Sequence, residues 1–177
     1  MIYLDNASTT KVSPEVMEAM LPYFSDDYGN PGSVHSMGRT SERAVEMARE
    51  QVAAPIKAAP DKIIFTSGGS EANTLALIGL AKYLRSIGKT HIITTRVEHH
   101  SVLNAIKYLF DNGFYVTYLP VDRTGCINFD LLSASICDMT GLVSIMAVNN
   151  EIGNLYDIYR IGEICHQNSI LFHTDCV

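Results

Sequence analysis

Apolar residues follow two periods along this chain. From Ile63 onward, short runs of β-branched and aromatic residues alternate with longer stretches in which apolar residues recur every three or four positions. The runs read as buried strands and the stretches as amphipathic helices. The pattern predicts strands over 63–66, 91–95, 114–119, 142–148 and 170–174. Helices are predicted over 71–88, 101–110, 129–137 and 157–167, with Asn128 as one cap and Gly88 and Asn112-Gly113 as stops. Before Ile63 the chain is written differently. Ser13-Pro14-Glu15 starts a helix that puts Val16, Ala19, Met20 and Tyr23 on one face. A loop rich in Gly, Asn, Pro and Ser covers 26–38, and a helix over 40–53 turns Ala44, Val45, Ala48 and Val52 inward until Pro55 ends it.

Alternating strands and helices imply right-handed βαβ units, hence an α/β fold with a mainly parallel sheet and helices on both faces. The expected organisation is an N-terminal segment (1–15) followed by a partial α/β domain (16–177). The last predicted strand has no helix after it, whereas a parallel sheet needs both faces covered. The sequence is therefore expected to be cut off inside the domain.

The organising stretch is 63–79, where a predicted strand hands over to a helix through Ser67-Gly68-Gly69-Ser70. Unpaired amides and the positive helix end suit an anion there, most often a phosphate. An ordinary strand–turn–helix connection capped by Ser67 or Ser70 accounts for the same residues. In open parallel sheets ligands bind beyond the carboxyl ends of the strands. Those ends carry Ser67-Gly68-Gly69-Ser70, Glu98-His99-His100, Asn149-Asn150-Glu151 and His173-Thr174-Asp175. Each alone is explained by turns and caps; together they form one polar rim.

Composition narrows the function classes. With 47% hydrophobic and 18% charged residues the 177-residue chain is globular, and its net charge of −6 without a Lys/Arg cluster argues against nucleic acid. No apolar run approaches the ~20 residues of a membrane span. The start, Met1-Ile-Tyr-Leu-Asp5, does not read as a secretion signal, so a cytoplasmic location is expected. Cys126, Cys137, Cys165 and Cys176 lack C-x-x-C spacing and read as free thiols, with Cys165 as core filling.

The rim has neither the Gly-Lys-Ser/Thr ending of a nucleoside-triphosphate loop nor Gly-x-Gly-x-x-Gly, and its His and Asp spacings fit no zinc pattern. A phosphate cup, an imidazole and a carboxylate fit pyridoxal phosphate better, whose pyridine nitrogen is kept protonated by an acid.

Tyr3-Leu-Asp-Asn-Ala-Ser-Thr-Thr10, Gly29-Asn-Pro-Gly-Ser-Val-His35, Phe65-Thr-Ser-Gly-Gly-Ser-Glu71, Glu98-His99, Val148-Asn-Asn-Glu-Ile-Gly153 and Phe172-His-Thr-Asp175 resemble cysteine desulfurases of the nitrogen-fixation and iron–sulfur-assembly branch, in the class V aminotransferase superfamily. The resemblance runs from Tyr3 to Val177 and covers the N-terminal half of such an enzyme. It implies the large domain of a fold-type I pyridoxal-phosphate enzyme, incomplete at its C-terminus. It also implies that Gly69 and Ser70 hold the cofactor phosphate and that His99 stacks on the ring and assists proton transfer. Asn150 would bond the ring hydroxyl, and Asp175 would pair with the ring nitrogen. The implied reaction converts L-cysteine to L-alanine and leaves the sulfur on an enzyme cysteine. A homodimer with sites completed across the interface is implied, as is a sulfur-acceptor or scaffold protein as partner. No metal, nucleic acid or membrane is expected.

Ser70 and Gly69 stand where the family has threonine and commonly alanine, and Ala54-Pro55-Ile56-Lys57 replaces a more apolar helix end. The family's cofactor lysine, a glutamine and the persulfide cysteine fall beyond Val177. Lys11, Lys57, Lys62, Lys82, Lys89 and Lys107 do not replace that lysine, nor do Cys126 and Cys176 replace the cysteine. The isolated chain is therefore expected to be inactive. Two other readings are a non-catalytic dimerisation or binding fragment, or half of a split enzyme, and a metal-dependent hydrolase using His99, His173 and Asp175.

Overall fold

The structure is a computed structural model that describes residues 2–177. By contacts between Cα atoms the chain falls into two compact units, divided between Phe65 and Thr66. The boundary expected after residue 15 lies inside the first helix, and the division falls much later.

The first unit is helical. α1 (Pro14–Met20) starts at Ser13, whose hydroxyl accepts from the Val16 amide, and α2 (Pro22–Ser25) is a single turn. α3 (Ser36–Ala53) begins four residues before the predicted start at 40. The His35 side chain caps it by accepting from the Gly38 amide, so a residue read as loop supplies the nucleus. Gly38 is required there: a Cβ would fall 2.1 Å from the Ser33 carbonyl oxygen.

Residues 63–66 form no strand, contrary to expectation. Ile63 is extended, yet the segment joins no sheet, and Ile64 (70%) and Phe65 (49%) are exposed. β-branched residues favour an extended backbone, but a strand exists only where its amides and carbonyls find a ladder. The Ile63 carbonyl is instead taken by the Arg49 guanidinium from α3, which also lies 5.2 Å from the Phe65 ring centre.

The second unit is the α/β domain that the alternating pattern predicts. Its elements are α4 (Gly69–Ser86), β1 (His91–Thr95), α5 (His100–Asp111), β2 (Tyr115–Leu119), α6 (Phe129–Ala134), β3 (Thr140–Ser144), α7 (Ile158–Gln167) and β4 (Leu171–His173). The four strands are all parallel in the order β2-β1-β3-β4. Successive residues of each strand serve opposite faces. Ile92 and Leu142 pack with Leu77, Leu84, Val102 and Ile106 of α4 and α5. Ile93 and Val143 pack with Leu132, Ile161 and Cys165 of α6 and α7. Both faces are thus covered, and the continuous burial of β1 and β3 follows.

β3 is shorter than the predicted 142–148 and begins two residues earlier. Beyond Ser144 the chain still leans on the β4 side, since the Ile145 and Ala147 amides donate to the His173 and Asp175 carbonyls at 3.1 and 2.8 Å. It then turns back through an antiparallel bridge between Val148 and Leu155. Asn149 organises that turn by accepting from the Glu151 and Ile152 amides and donating to the Val97 carbonyl.

Candidate active site

The strand order reverses between β1 and β3: the connection from β1 leads outward to β2, and the next returns across to β3. In such sheets the carboxyl ends at the reversal open a crevice. Four pieces of chain meet around it: the start of α4, the β1–α5 turn, the segment after β3 and the residues after β4.

α4 begins unlike its neighbours. α1, α3, α5, α6 and α7 each carry a side-chain cap, whereas α4 has none. Glu71 folds back on the turn instead, accepting from the Ser67 amide at 2.6 Å and its hydroxyl at 2.7 Å. Those two bonds hold its carboxyl below the ordinary glutamate range. Among the described residues the amides of Gly69 and Ser70 meet no protein acceptor, and the Ser70 hydroxyl is exposed and unbonded. The helix therefore presents free donors and its positive end. A Cβ on Gly69 would lie 2.6 Å from a Val177 methyl, so the end of the chain reaches the start of α4.

The β1–α5 turn supplies His99 and Glu98. His99 caps α5, its Nδ1 accepting from the Ser101 amide at 3.2 Å and lying 2.7 Å from the Ser101 hydroxyl. Glu98 is buried and braces the reversal: it accepts from the Thr95 hydroxyl of β1 at 2.8 Å and from the Met146 amide beyond β3 at 3.0 Å. Burial pushes its carboxyl up to about 7, against the two hydrogen bonds and with help from the nearby Asp175 charge.

Asp175 follows β4. One carboxylate oxygen accepts from the Val177 amide at 3.0 Å and the other from the Asn73 side-chain amide at 2.8 Å. The same Asn73 nitrogen donates to the Ser101 hydroxyl at 2.9 Å. His99, Ser101, Asn73 and Asp175 are thereby joined in one hydrogen-bonded line across α5, α4 and the end of β4. His173, bonded to the Ser144 hydroxyl at 2.9 Å, is held below the usual imidazole range by burial despite Asp175.

Of the residues expected from the sequence, Gly69, His99 and Asp175 are tied to this rim by contact or hydrogen bond. Ser70 adjoins Gly69. Asn150 is exposed and bonds only its neighbour Glu151, at 3.4 Å, outside the line. The reading missed Asn73 and Ser101. Asn73 could have been found: it stands on the inward face with Leu77 and Leu84, where a polar side chain requires a partner. No group of three or more His, Cys, Asp or Glu suited to a metal occurs among the described residues, so the hydrolase reading has no ligand cluster. No described helix is long and apolar enough to cross a membrane. Cys126, Cys137 and Cys176 are exposed, and Cys165 is buried with its thiol pushed up to about 11.

Comparison with known proteins agrees with this architecture. The chain is 48% identical over 176 residues to the cysteine desulfurase IscS of Methanosarcina thermophila, matching 99% of this chain and 43% of the relative. It is 50% identical over 175 residues to that of Ehrlichia chaffeensis, matching 98% and 42%. A solved NifS-like protein superposes with a TM-score of 0.95 at 38% identity, over 99% of this chain and 49% of that one. A structure of SspA in complex with cysteine gives 0.91 at 40%, over 97% and 49%. The chain thus spans less than half the length of the curated relatives it matches. The family model for class-V aminotransferases matches residues 2–177, and the chain belongs to that family.

Proposed function

We propose that this chain forms the phosphate- and ring-binding part of a pyridoxal-phosphate cysteine desulfurase, acting on L-cysteine and handing its sulfur to an enzyme thiol. The observation that carries the reading is the meeting of the uncapped α4 with a doubly held Asp175 and a fixed His99 at the sheet reversal. The residues fit the cofactor's chemistry. Free Gly69 and Ser70 donors suit a phosphate dianion, a carboxylate suits a protonated ring nitrogen, and an imidazole suits a ring face. When bound, the cofactor supplies an electron sink for carbanion chemistry.

The chain's own groups have separate tasks. Gly69 and Ser70 anchor the phosphate, and Asp175 orients the ring and balances the charge on its nitrogen. His99 covers the ring and holds a proton at Nε2. Asn150, on the exposed turn after β3, is assigned the ring hydroxyl on the strength of the resemblance. The cofactor lysine and the sulfur-accepting cysteine are assigned, on the strength of the resemblance, to residues outside this chain, and the working enzyme is read as a homodimer that passes sulfur to an acceptor protein.

Pyridoxamine 5′-phosphate tests the reading, because it lacks the aldehyde and needs no lysine. Fluorescence titration should show saturable binding that inorganic phosphate competes away. Asp175→Ala should weaken it at least about tenfold, the loss expected for a hydrogen bond to a charged group. Absence of saturable binding, or equal affinity in the variant, would overturn the assignment. Alanine release from cysteine by the 177-residue chain alone would overturn the assignment of the lysine to residues outside it.

A further inference from the structure

The line from Asp175 to His99 has a direction fixed by chemistry. A carboxylate only accepts hydrogen bonds, so the Asn73 group facing Asp175 Oδ2 at 2.8 Å is its NH₂. The second hydrogen of that NH₂ points to Ser101 Oγ at 2.9 Å, which makes the hydroxyl oxygen an acceptor on that side. The single hydroxyl proton of Ser101 is left for His99 Nδ1, 2.7 Å away. The Ser101 backbone N–H donates to the same nitrogen at 3.2 Å. Nδ1 therefore receives two donors, and the neutral ring carries its proton on Nε2. Asn73 is buried, with 5% of its surface accessible, so water does not substitute for either of its bonds.

We infer that Asn73 and Ser101 are positioning residues through which the Asp175 carboxylate sets the tautomer of His99. The role of this relay in catalysis rests on the cofactor reading above; the relay itself does not. Its effect is to couple two groups on different elements. The acid assigned to the ring nitrogen is held in place by the residue that, one bond further on, confines the histidine proton to the nitrogen facing outward from the α5 cap. Neither Asn73 nor Ser101 need touch the cofactor for this.

Asp175→Asn is the sharpest probe, because it keeps the shape of the residue and has no hydrogen bond to His99. The Val177 amide claims one oxygen at 3.0 Å, so the new NH₂ takes the place of Oδ2 and faces Asn73. Asn73 must then turn its carbonyl oxygen toward both neighbours. Ser101 donates to that oxygen and no longer to His99. The relay runs backwards.

The measurement is a two-bond proton–nitrogen correlation spectrum of the full 177-residue chain labelled with ¹⁵N-histidine, near pH 8, with His99 identified by its loss in His99→Gln. In the wild type Nε2 should be protonated and Nδ1 should show the shift of an acceptor. Ser101→Ala and Asp175→Asn should each lower the Nε2–H to Nδ1–H ratio about fivefold, the worth of one neutral hydrogen bond. Asn73→Leu should lower it about twofold or more, since it frees the hydroxyl without reversing it. Ser101→Thr should restore the wild-type ratio, which a purely structural role for Ser101 does not require. A wild-type ring protonated on Nδ1 overturns the inference. So does an unchanged ratio in Asp175→Asn with a native near-ultraviolet circular dichroism spectrum, whether or not Asn73→Leu folds. Pyridoxamine-phosphate binding is read separately: a chain that shows the tautomer effects but no binding sinks the functional reading alone, and the opposite result sinks the relay alone.

Discussion

The residues up to Phe65 and those from Thr66 on are built by the same local rules and differ in what they bury. Both contain capped helices with apolar stripes. In the second unit the stripes of α4, α5, α6 and α7 close on the sheet, and Leu77, Ile92, Ile106, Leu142 and Ile161 lose all or nearly all contact with solvent. In the first unit α1 and α2 bury nothing, and Ala53 is the one apolar side chain fully buried among its described residues. Phe24, Tyr28 and Val34 remain 74%, 67% and 91% exposed. A helix such as α1 can thus form from its cap and period while its apolar face stays partly exposed among the described residues. Secondary structure is local and a core is not, because burial needs a second surface.

Core truncation gives the largest expected contrast. Leu142→Ala should cost about 2–5 kcal/mol in urea unfolding, because a buried side chain leaves both a transfer loss and a cavity. Phe24→Ala should change stability by no more than about 0.5 kcal/mol, as for surface positions. Equal losses would erase the distinction between the units.

A smaller effect comes from pH. The Glu98 carboxyl sits at about 7 in the fold against an ordinary 4.5 in the unfolded chain. The folded state holds that proton more tightly, so this residue's contribution falls as pH rises through the interval and is gone above it. Relative to wild type, Glu98→Gln should gain roughly 2–4 kcal/mol between pH 4.5 and pH 8, read from urea midpoints across the range. A constant difference would mean that Glu98 is not buried at the sheet reversal. The first unit has the opposite case in Glu15, lowered by backbone and Ser13 hydrogen bonds; its stabilisation is present above the unfolded value and is lost as pH falls through the lowered one.

Caps provide the finest comparison. Asn128 accepts from the Asp130 and Leu131 amides at the start of α6, whose Leu132 is fully buried. Asn128→Ala should cost about 1 kcal/mol of global stability. Ser13→Ala, at a helix that buries nothing, should fray α1 without moving the main unfolding transition; hydrogen exchange at Met17 and Glu18 would report the fraying. A shift of the main transition by Ser13→Ala would show that α1 is part of the core after all.

Much of the second unit was legible because two signals coincided there. Around β1, α5 and α7 the strand and helix periods alternate cleanly, with Asn112-Gly113 stopping α5, and the observed limits lie within one residue of those predicted. The rim was legible in part: the residues after β1, β3 and β4 share one edge, as a parallel sheet requires, whereas the start of α4 follows no strand. Residues 63–66 were misread for a reason the sequence does not hold: their composition suits a strand, but no ladder partner meets them. The start of α3 was missed because a histidine served as cap where the loop composition suggested none.

By itself, then, the sequence determined the alternation of elements, the parallel sheet and the polar groups along its carboxyl edge, since each follows from residue type and spacing within a few positions. Only the tertiary structure decided which apolar faces are buried, that Asn73 joins Asp175 to Ser101, and that Asn150 stands apart. Those outcomes depend on segments up to 102 residues apart arriving within hydrogen-bonding distance, and no local pattern records such a meeting.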